Sequence, residues 1–565
     1  MPDLRIVVLI CLLFAAGLFA ADRITGPEWA TRSEVVARNG MVATSHPLAA
    51  RIGIDILKKG GTAVDAAIAV DAALGLMEPT GSGVGGDLFA LVWDAESGKL
   101  YGLNASGAAP SGHSLQMFRE RGLEQVPYRG PLSWTVPGCV AGWFALHERF
   151  GKLPVKTLLE PTIAYARAGF PLTELIAHYW ELSVAAFKDY PNFQQLYAPD
   201  GKAPAKGDVF RNSQLADTLE LIGKSGADAF YRGAIARRMV DYSNRVGGYF
   251  TMEDLAACTP RWEEPLSVDY RGYRVWELPP NGQGIAALQM LAMLSEMDVA
   301  ALGHNTAAYL HALVEIKKMV YEDRAKFYAD PAFVDVPVRE MISRDYALRR
   351  LKLFDPQRAA RTVSAGNPRL ETGDTVYLTV VDRHRNVVSL IQSNYGGFGS
   401  GNVPDGLGFC IQNRGALFSL ERDHANVVAP GKRPFHTIIP AMVTKGGKPV
   451  FSFGVMGGAM QPQGHVQILC NIIDFDMNVQ AAGDAPRFRH SGSSQPNGGT
   501  MTDGGVVHLE SGISWSVVRE LMDRGHRIVP RRGGYGGYQG IWIDHDRGVL
   551  LGGSESRKDG CALGY

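Results

Sequence analysis

Gly373-Asp374-Thr375-Val376-Tyr377-Leu378-Thr379-Val380-Val381-Asp382 opens a strand directly behind a polar segment. Its β-branched and aromatic residues are strand formers, and Arg383 to Asn386 supplies the turn into a second run, Val387 to Gln392. The segment before it, Val363 to Gly373, is polar, carries Gly and Pro, and reads as an exposed linker. The residue that meets linker and strand is Thr375.

Upstream of residue 372 the chain reads mainly as helix with short strands inserted. Pro47 to Leu57 and Ala63 to Met77 are alanine-rich, with apolar positions three and four apart, and Lys58-Lys59-Gly60-Gly61 between them predicts a helical hairpin. Gly138 to Arg149, Ala216 to Gly223, Gln283 to Glu296 and Thr306 to Tyr328 carry the same pattern, and Asp87 to Asp94 reads as a strand. Downstream, strands are expected at Ile438 to Val443, Pro449 to Phe453, Gly504 to His508, Gly540 to Asp544 and Gly548 to Leu551, with a helix over His465 to Ile473. Helices followed by stacked hairpins predict layers, with sheets sandwiched between helices.

Composition narrows the function. The 565 residues carry 57 basic and 57 acidic side chains. Zero net charge argues against a nucleic-acid or membrane-surface binder, which needs a basic excess, and favours a small neutral or zwitterionic substrate. Arg5, the apolar run Ile6 to Phe19, and Ala20-Ala21 read as a signal peptide at 1–21, so export to the periplasm or outside the cell is expected. Cys139, Cys258, Cys410, Cys470 and Cys561 are scattered without a C-x-x-C pair, and the 14 histidines are dispersed, so neither a disulfide framework nor a metal site is predicted. Gly81-Ser82-Gly83-Val84-Gly85-Gly86 matches a dinucleotide fingerprint in letters only. It follows a helix and leads into a strand, the reverse of what that fingerprint requires, and reads as a tight turn.

A constellation remains: the strand at Thr375, then Gln392-Ser393-Asn394-Tyr395-Gly396-Gly397, Lys432-Arg433-Pro434, and Met456-Gly457-Gly458-Ala459-Met460-Gln461-Pro462. With Arg38 to His46, Gly60 to Ala67, Gly81 to Asp87, Val136-Pro137-Gly138, Asp484 to Phe488, Arg557 to Gly560 and Gly564-Tyr565, it resembles the gamma-glutamyltransferase family (gamma-glutamyl transpeptidase, glutathione hydrolase) over nearly the whole chain. The resemblance implies an α+β N-terminal-nucleophile hydrolase fold, a four-layer αββα sandwich of two stacked β-sheets between helices. It also implies a proenzyme that cuts itself between Asp374 and Thr375. The products would be a large subunit, 22–374, and a small subunit, 375–565, held together as an intramolecular heterodimer within one intertwined domain.

The chemistry suits the residue types. A threonine hydroxyl is a poor nucleophile, and no histidine stands near Thr375 in sequence to activate it. Cleavage before the threonine frees its α-amine, whose pKa of roughly 8 suits a general base. By resemblance, Ser393 is the second hydroxyl supporting the nucleophile. Gly457 and Gly458 are the pair whose N–H groups hold the oxyanion, where glycine lets the backbone approach the reacting carbonyl. No cofactor is implied.

The substrate clamp departs from the family pattern. An arginine that holds the donor carboxylate in well-studied members falls on Ser106 or Ala108, leaving Arg129 or Arg414 to replace it. The substrate-binding positions fall on Tyr395, Arg414, His436 and Thr437, and the glutamine and aspartate that bind the α-ammonium fall near Arg414 and Leu417. Losing a carboxylate and gaining an arginine favours an anion or neutral amide over an ammonium. The expected activity is hydrolysis, more than transpeptidation, of γ-glutamyl amides such as glutathione. The alternatives are an amidohydrolase or acylase of a glutaryl- or oxamate-like amide, a branch of the same family, or an unprocessed inactive relative.

Overall fold

Alternation along the strand Asp374–Val381 builds the molecule from its centre. Val376, Leu378 and Val380, with Val388 and Leu390 of the neighbouring strand Val387–Tyr395, pack on the helices Pro47–Lys58 and Ala63–Met77. Tyr377 and Val381, with Val387 and Ile391, point to the opposite face and pack on Met442, Met456, Ile541 and Leu550 of a second sheet. Period-two strands buried on both faces are dictated by such a sequence, and each fully buried Val, Leu or Ile contributes about 1.5–3 kcal/mol.

The computed structural model describes Ile24, residues 31–363 and residues 374–565. The segment read as a signal peptide lies outside the described residues, as does the linker except for Val363. Both main sheets have seven strands among the described residues and are antiparallel throughout. One runs Cys561–Gly564, Met41–Thr44, Asp374–Val381, Val387–Tyr395, Asp87–Asp94, Lys99–Ala105, Arg261–Glu263. The other runs Val35–Ala37, Val549–Ser554, Gly537–Asp544, Lys448–Met456, Ala441–Lys445, Tyr273–Glu277, Leu266–Tyr270. The outer face of the second sheet carries Phe451, Phe453 and Val455 against the helices Gly284–Leu294, Ala307–Phe327 and Gln461–Ile473. Helix, sheet, sheet, helix is the expected four-layer αββα sandwich.

The predicted elements appear close to their expected bounds, with two informative differences. Residues 438–440 do not extend the strand Ala441–Lys445 backwards, because the N–H of Ile438 donates to His436 Nδ1 (3.4 Å) and that of Ile439 to Gln461 Oε1 (3.0 Å). The upstream part also supplies more strand than its alanine-rich helices suggest, contributing to both sheets at Met41–Thr44, Lys99–Ala105 and Arg261–Glu277. Chain before and after Thr375 is therefore interleaved within one pair of sheets. The helical hairpin forms as expected, with Thr62 and Asp65 closing a reciprocal capping box at the start of Ala63–Met77. Cys139, Cys258, Cys410, Cys470 and Cys561 are free thiols. No helix among the described residues is long and apolar enough to cross a membrane.

Candidate active site

Odd-numbered positions of the two central strands face the gap between the sheets, and this brings Thr375 and Ser393 together. Thr375 Oγ1 donates to Ser393 Oγ at 3.4 Å, and Ser393 Oγ accepts the Tyr395 N–H at 2.8 Å. Both residues are buried. The pairing register slips by one here: Asp374 faces Tyr395 but Val376 faces Gln392, so Ser393 and Asn394 together oppose Thr375. Such a bulge re-aims side chains and recurs beside active sites. Tyr395, at its end, is buried and held at φ +76°, a left-handed conformation that costs a non-glycine residue of order 1–3 kcal/mol.

The glycine run read from sequence as a mere turn wraps this end of the sheet. A Cβ on Gly81 would lie 3.3 Å from the Thr375 carbonyl carbon, and one on Gly86 would lie 2.6 Å from the Ser393 carbonyl oxygen. Gln392 exchanges hydrogen bonds with both backbone groups of Gly83, and the Asn394 side chain donates to Ser82 O (2.9 Å). The run is thus a packed collar around the Thr375–Ser393 pair.

The second sheet brings the other glycine pair to the same level. Thr379 and Ser452 hydroxyls hydrogen-bond across the sheets at 2.6 Å, and the Tyr377 ring lies 2.4 Å from where a Cβ on Gly454 would sit. Numbering runs in opposite directions along the two strands, so the next step sets Thr375 level with Met456, immediately before Gly457. Gly457 and Gly458 are at φ +119° and +57°. Their carbonyls are tied back: Gly457 O accepts Met460 N–H (3.0 Å), Gly458 O accepts the Gln283 amide (2.9 Å), and Ala459 O accepts the Tyr321 hydroxyl (2.5 Å). Neither glycine N–H has a protein acceptor among the described residues. Two such donors in a dry site suit a developing oxyanion.

Arg414 is fully buried in the short helical turn Arg414–Leu417. Its Nη1 donates to Thr437 Oγ1 at 2.7 Å, and its guanidinium lies 4.7 Å from the Tyr395 ring centre. Nε and Nη2 have no hydrogen-bond partner among the described residues. Burial pulls its pKa down to about 10, which Asp87 partly offsets. A buried guanidinium with open donors is costly unless an anion completes it.

His436 is differently engaged. Its Nε2 pairs with Asp87 Oδ2 at 3.0 Å, while its Nδ1 receives the Ile438 N–H. Burial, and then the Arg414 charge, hold its pKa down at about 3, so the ring is neutral. Asp87 Oδ1 also accepts from Gly107, Gly138 and Gln412. This histidine steadies Asp87 through Nε2 and, with Nδ1 taken by the Ile438 N–H, offers neither nitrogen to a substrate. Ser106, at a position of the missing arginine, hydrogen-bonds Asn104 Oδ1 (2.7 Å). Arg129 is exposed and packs on the Phe187 ring (5.0 Å), so the open donors belong to Arg414.

Sequence reasoning passed over Gln283. Its amide donates to both Thr437 O (2.6 Å) and Gly458 O (2.9 Å) and accepts from Arg324 (2.5 Å), joining the Arg414 pocket to the glycine pair. Its contacts are 154 and 175 residues away, beyond any local pattern. The dispersed histidines also conceal a cluster: His311 Nδ1 lies 2.7 Å from His526 Nε2, and Glu315 completes a group of ligand-type atoms within 4.8 Å. Lys318 already neutralises Glu315 at 2.7 Å, and the two rings satisfy each other, so the group does not call for a cation.

The gamma-glutamyltranspeptidase family model matches residues 49–565. The glutathione hydrolase-like YwrD proenzyme of Bacillus subtilis (strain 168) is 36% identical over 535 residues, covering 94% of this chain and 99% of that protein. The oxamate amidohydrolase proenzyme of Klebsiella pneumoniae is 32% identical, covering 94% of this chain and all of that protein (100%). The crystal structure of a cephalosporin acylase from Bacillus halodurans superposes with a TM-score of 0.88 at 43% identity, covering 96% of this chain and 99% of that one.

Proposed function

The chain belongs to the gamma-glutamyltranspeptidase family and is an enzyme of its N-terminal-nucleophile hydrolase type; from that premise we propose that it hydrolyses small acyl amides whose acyl group ends in a carboxylate. The observation that carries the reading is Arg414, fully buried with Nε and Nη2 open. A carboxylate filling those donors gains charge-assisted hydrogen bonds in a dry site. Leu417, where an ammonium-binding aspartate is expected, is buried and apolar. Asp87, the acid nearest in influence to Arg414, already serves His436, Gln412 and two backbone N–H groups.

The steps follow from residue type. Thr375 Oγ attacks the carbonyl carbon of Asp374, the peptide C–N bond breaks in favour of an ester, and water hydrolyses that ester. This leaves a large subunit ending at Asp374, a small subunit beginning at Thr375, and a free α-amine at the new terminus. The amine then takes the Thr375 hydroxyl proton as Oγ attacks the substrate amide. The N–H groups of Gly457 and Gly458 stabilise the oxyanion, the same proton passes to the leaving amine, and water releases the acyl group. Ser393 Oγ orients the nucleophile, Tyr395 and Thr437 hold Arg414, and His436 supports the pocket through Asp87. Export of the proenzyme, from the apolar leader read in the sequence, is part of the same proposal.

A γ-glutamyl donor is the second reading. It also carries a carboxylate for Arg414, and relatives are named as glutathione hydrolases. Turnover of glutaryl, oxalyl and γ-glutamyl 4-nitroanilides by the purified chain separates the two. The leading reading expects kcat/KM for an acyl group without the α-ammonium to exceed that for γ-glutamyl. The reverse order overturns it.

A further inference from the structure

The leaving half of the substrate has a place of its own. A surface cavity of about 780 Å³ is lined by Tyr179, Glu510, Arg531, Arg532, Gly536 and Arg557, among others. It reaches the catalytic level through Gly536: a Cβ on Gly457 would meet the Gly536 Cα at 3.3 Å. Arg414 therefore marks one side of the reacting centre, and this cavity opens beside the proposed oxyanion glycines on another strand end.

Its guanidinium charge is only partly compensated. Glu510 is paired with Arg557, and Asp484, also in the wall, accepts from Thr31 and Gln480. Arg531 and Arg532 are exposed and have no carboxylate partner among the described residues. Arg489 stands just behind them, its Nη1 donating to Gly534 O at 2.9 Å. Burial, and then the charge of Arg531, pull its pKa down to about 10. Clustered guanidinium groups without a counter-charge repel one another, and an anion between them relieves that repulsion.

We infer that this cavity is the leaving-group pocket and that it selects amides whose amine half carries a carboxylate, held by Arg531 and Arg532. The inference rests on the reading of Thr375 and Gly457 given above, but its test does not require turnover. Calorimetric binding of 5-amino-2-nitrobenzoate and of 4-nitroaniline to the full chain compares the same amine with and without a carboxylate. The carboxylated amine should bind about tenfold more tightly, and added salt should weaken it, as expected for exposed charges. In the double variant Arg531→Ala/Arg532→Ala, whose side chains are exposed, the preference should fall to within about twofold. Equal binding by the wild type, or a preference unchanged in the variant, overturns the inference. Hydrolysis is read separately. The variant should raise KM for glutaryl 3-carboxy-4-nitroanilide with kcat kept, and leave glutaryl 4-nitroanilide unchanged. Arginine-dependent binding without cleavage of either glutaryl anilide would retain the pocket and overturn the reading of the acyl group.

Discussion

Thr375 Oγ1 and Ser393 Oγ lie 3.4 Å apart where the ladder between their strands slips by one residue. The slip turns Ser393 so that it accepts from Tyr395 N–H on one side and meets Thr375 on the other. Removing the hydroxyl should therefore misplace the nucleophile rather than unfold the sheet. Ser393→Ala is expected to lower kcat by about 10- to 100-fold, the scale of one to two lost polar contacts, and Ser393→Thr to restore most of it. Steady-state kinetics on the processed chain checks this, and an unimpaired alanine variant contradicts the role given to Ser393.

Arg414→Met keeps most of the buried volume but removes the open donors. The loss in kcat/KM for a glutaryl amide should be about 30- to 100-fold, corresponding to ~2–3 kcal/mol for a charge-assisted contact. An uncharged acyl amide should be affected much less. Equal losses on charged and uncharged acyl groups would place Arg414 in scaffolding.

Gln283 donates to the carbonyls of Thr437 and Gly458 at once. Gln283→Glu keeps shape and the Arg324 contact while turning a donor toward two carbonyls into an acceptor. A drop in kcat of about tenfold or more with little change in KM is expected, since the role proposed for the glycine N–H groups is at the transition state. A change confined to KM would contradict that positioning.

Asp71 is buried beneath Trp143, whose indole N–H donates to it at 2.7 Å, and burial pushes its pKa up to about 7. A carboxyl with a raised folded pKa gives stability that is whole below its unfolded value and is lost as pH rises through the folded one. Asp71→Asn should then stabilise the fold at pH 8 by on the order of 2 kcal/mol and change little at pH 4. Thermal unfolding at the two pH values reads this directly, and a variant no more stable than wild type at pH 8 disproves the burial cost.

Much of the frame was legible because its signals are local. Val376 to Val381 is a short β-branched and apolar run closed by the turn at Arg383 to Asn386, and that make-up marks a strand whose two faces are both buried. The apolar spacing of Ala63–Met77 and the Gly60-Gly61 break before it mark a helix in the same way. The short strands Met41–Thr44 and Arg261–Glu263 escaped, since three or four residues show no period and form only because neighbours complete their ladders. At the proposed site, Thr375, Ser393 and the glycine pair could be singled out by order along the chain, and the fold brings Thr375 and Ser393 into contact. The collar at Gly81 could not, since a turn and a packed wall have the same letters. His436 looked like a substrate ligand until Asp87, on another strand, took its Nε2. Gln283 and the His311–His526 pair depend on contacts across the fold that no spacing announces.

The central claim is that Thr375 becomes an amino terminus. Intact-mass analysis of the purified wild type and of Thr375→Ala tests it most directly. Two chains with Thr375 first in the smaller are expected for the wild type, and one uncut chain for the variant. A wild type that stays whole, or a variant that is cut at the same bond, contradicts the account.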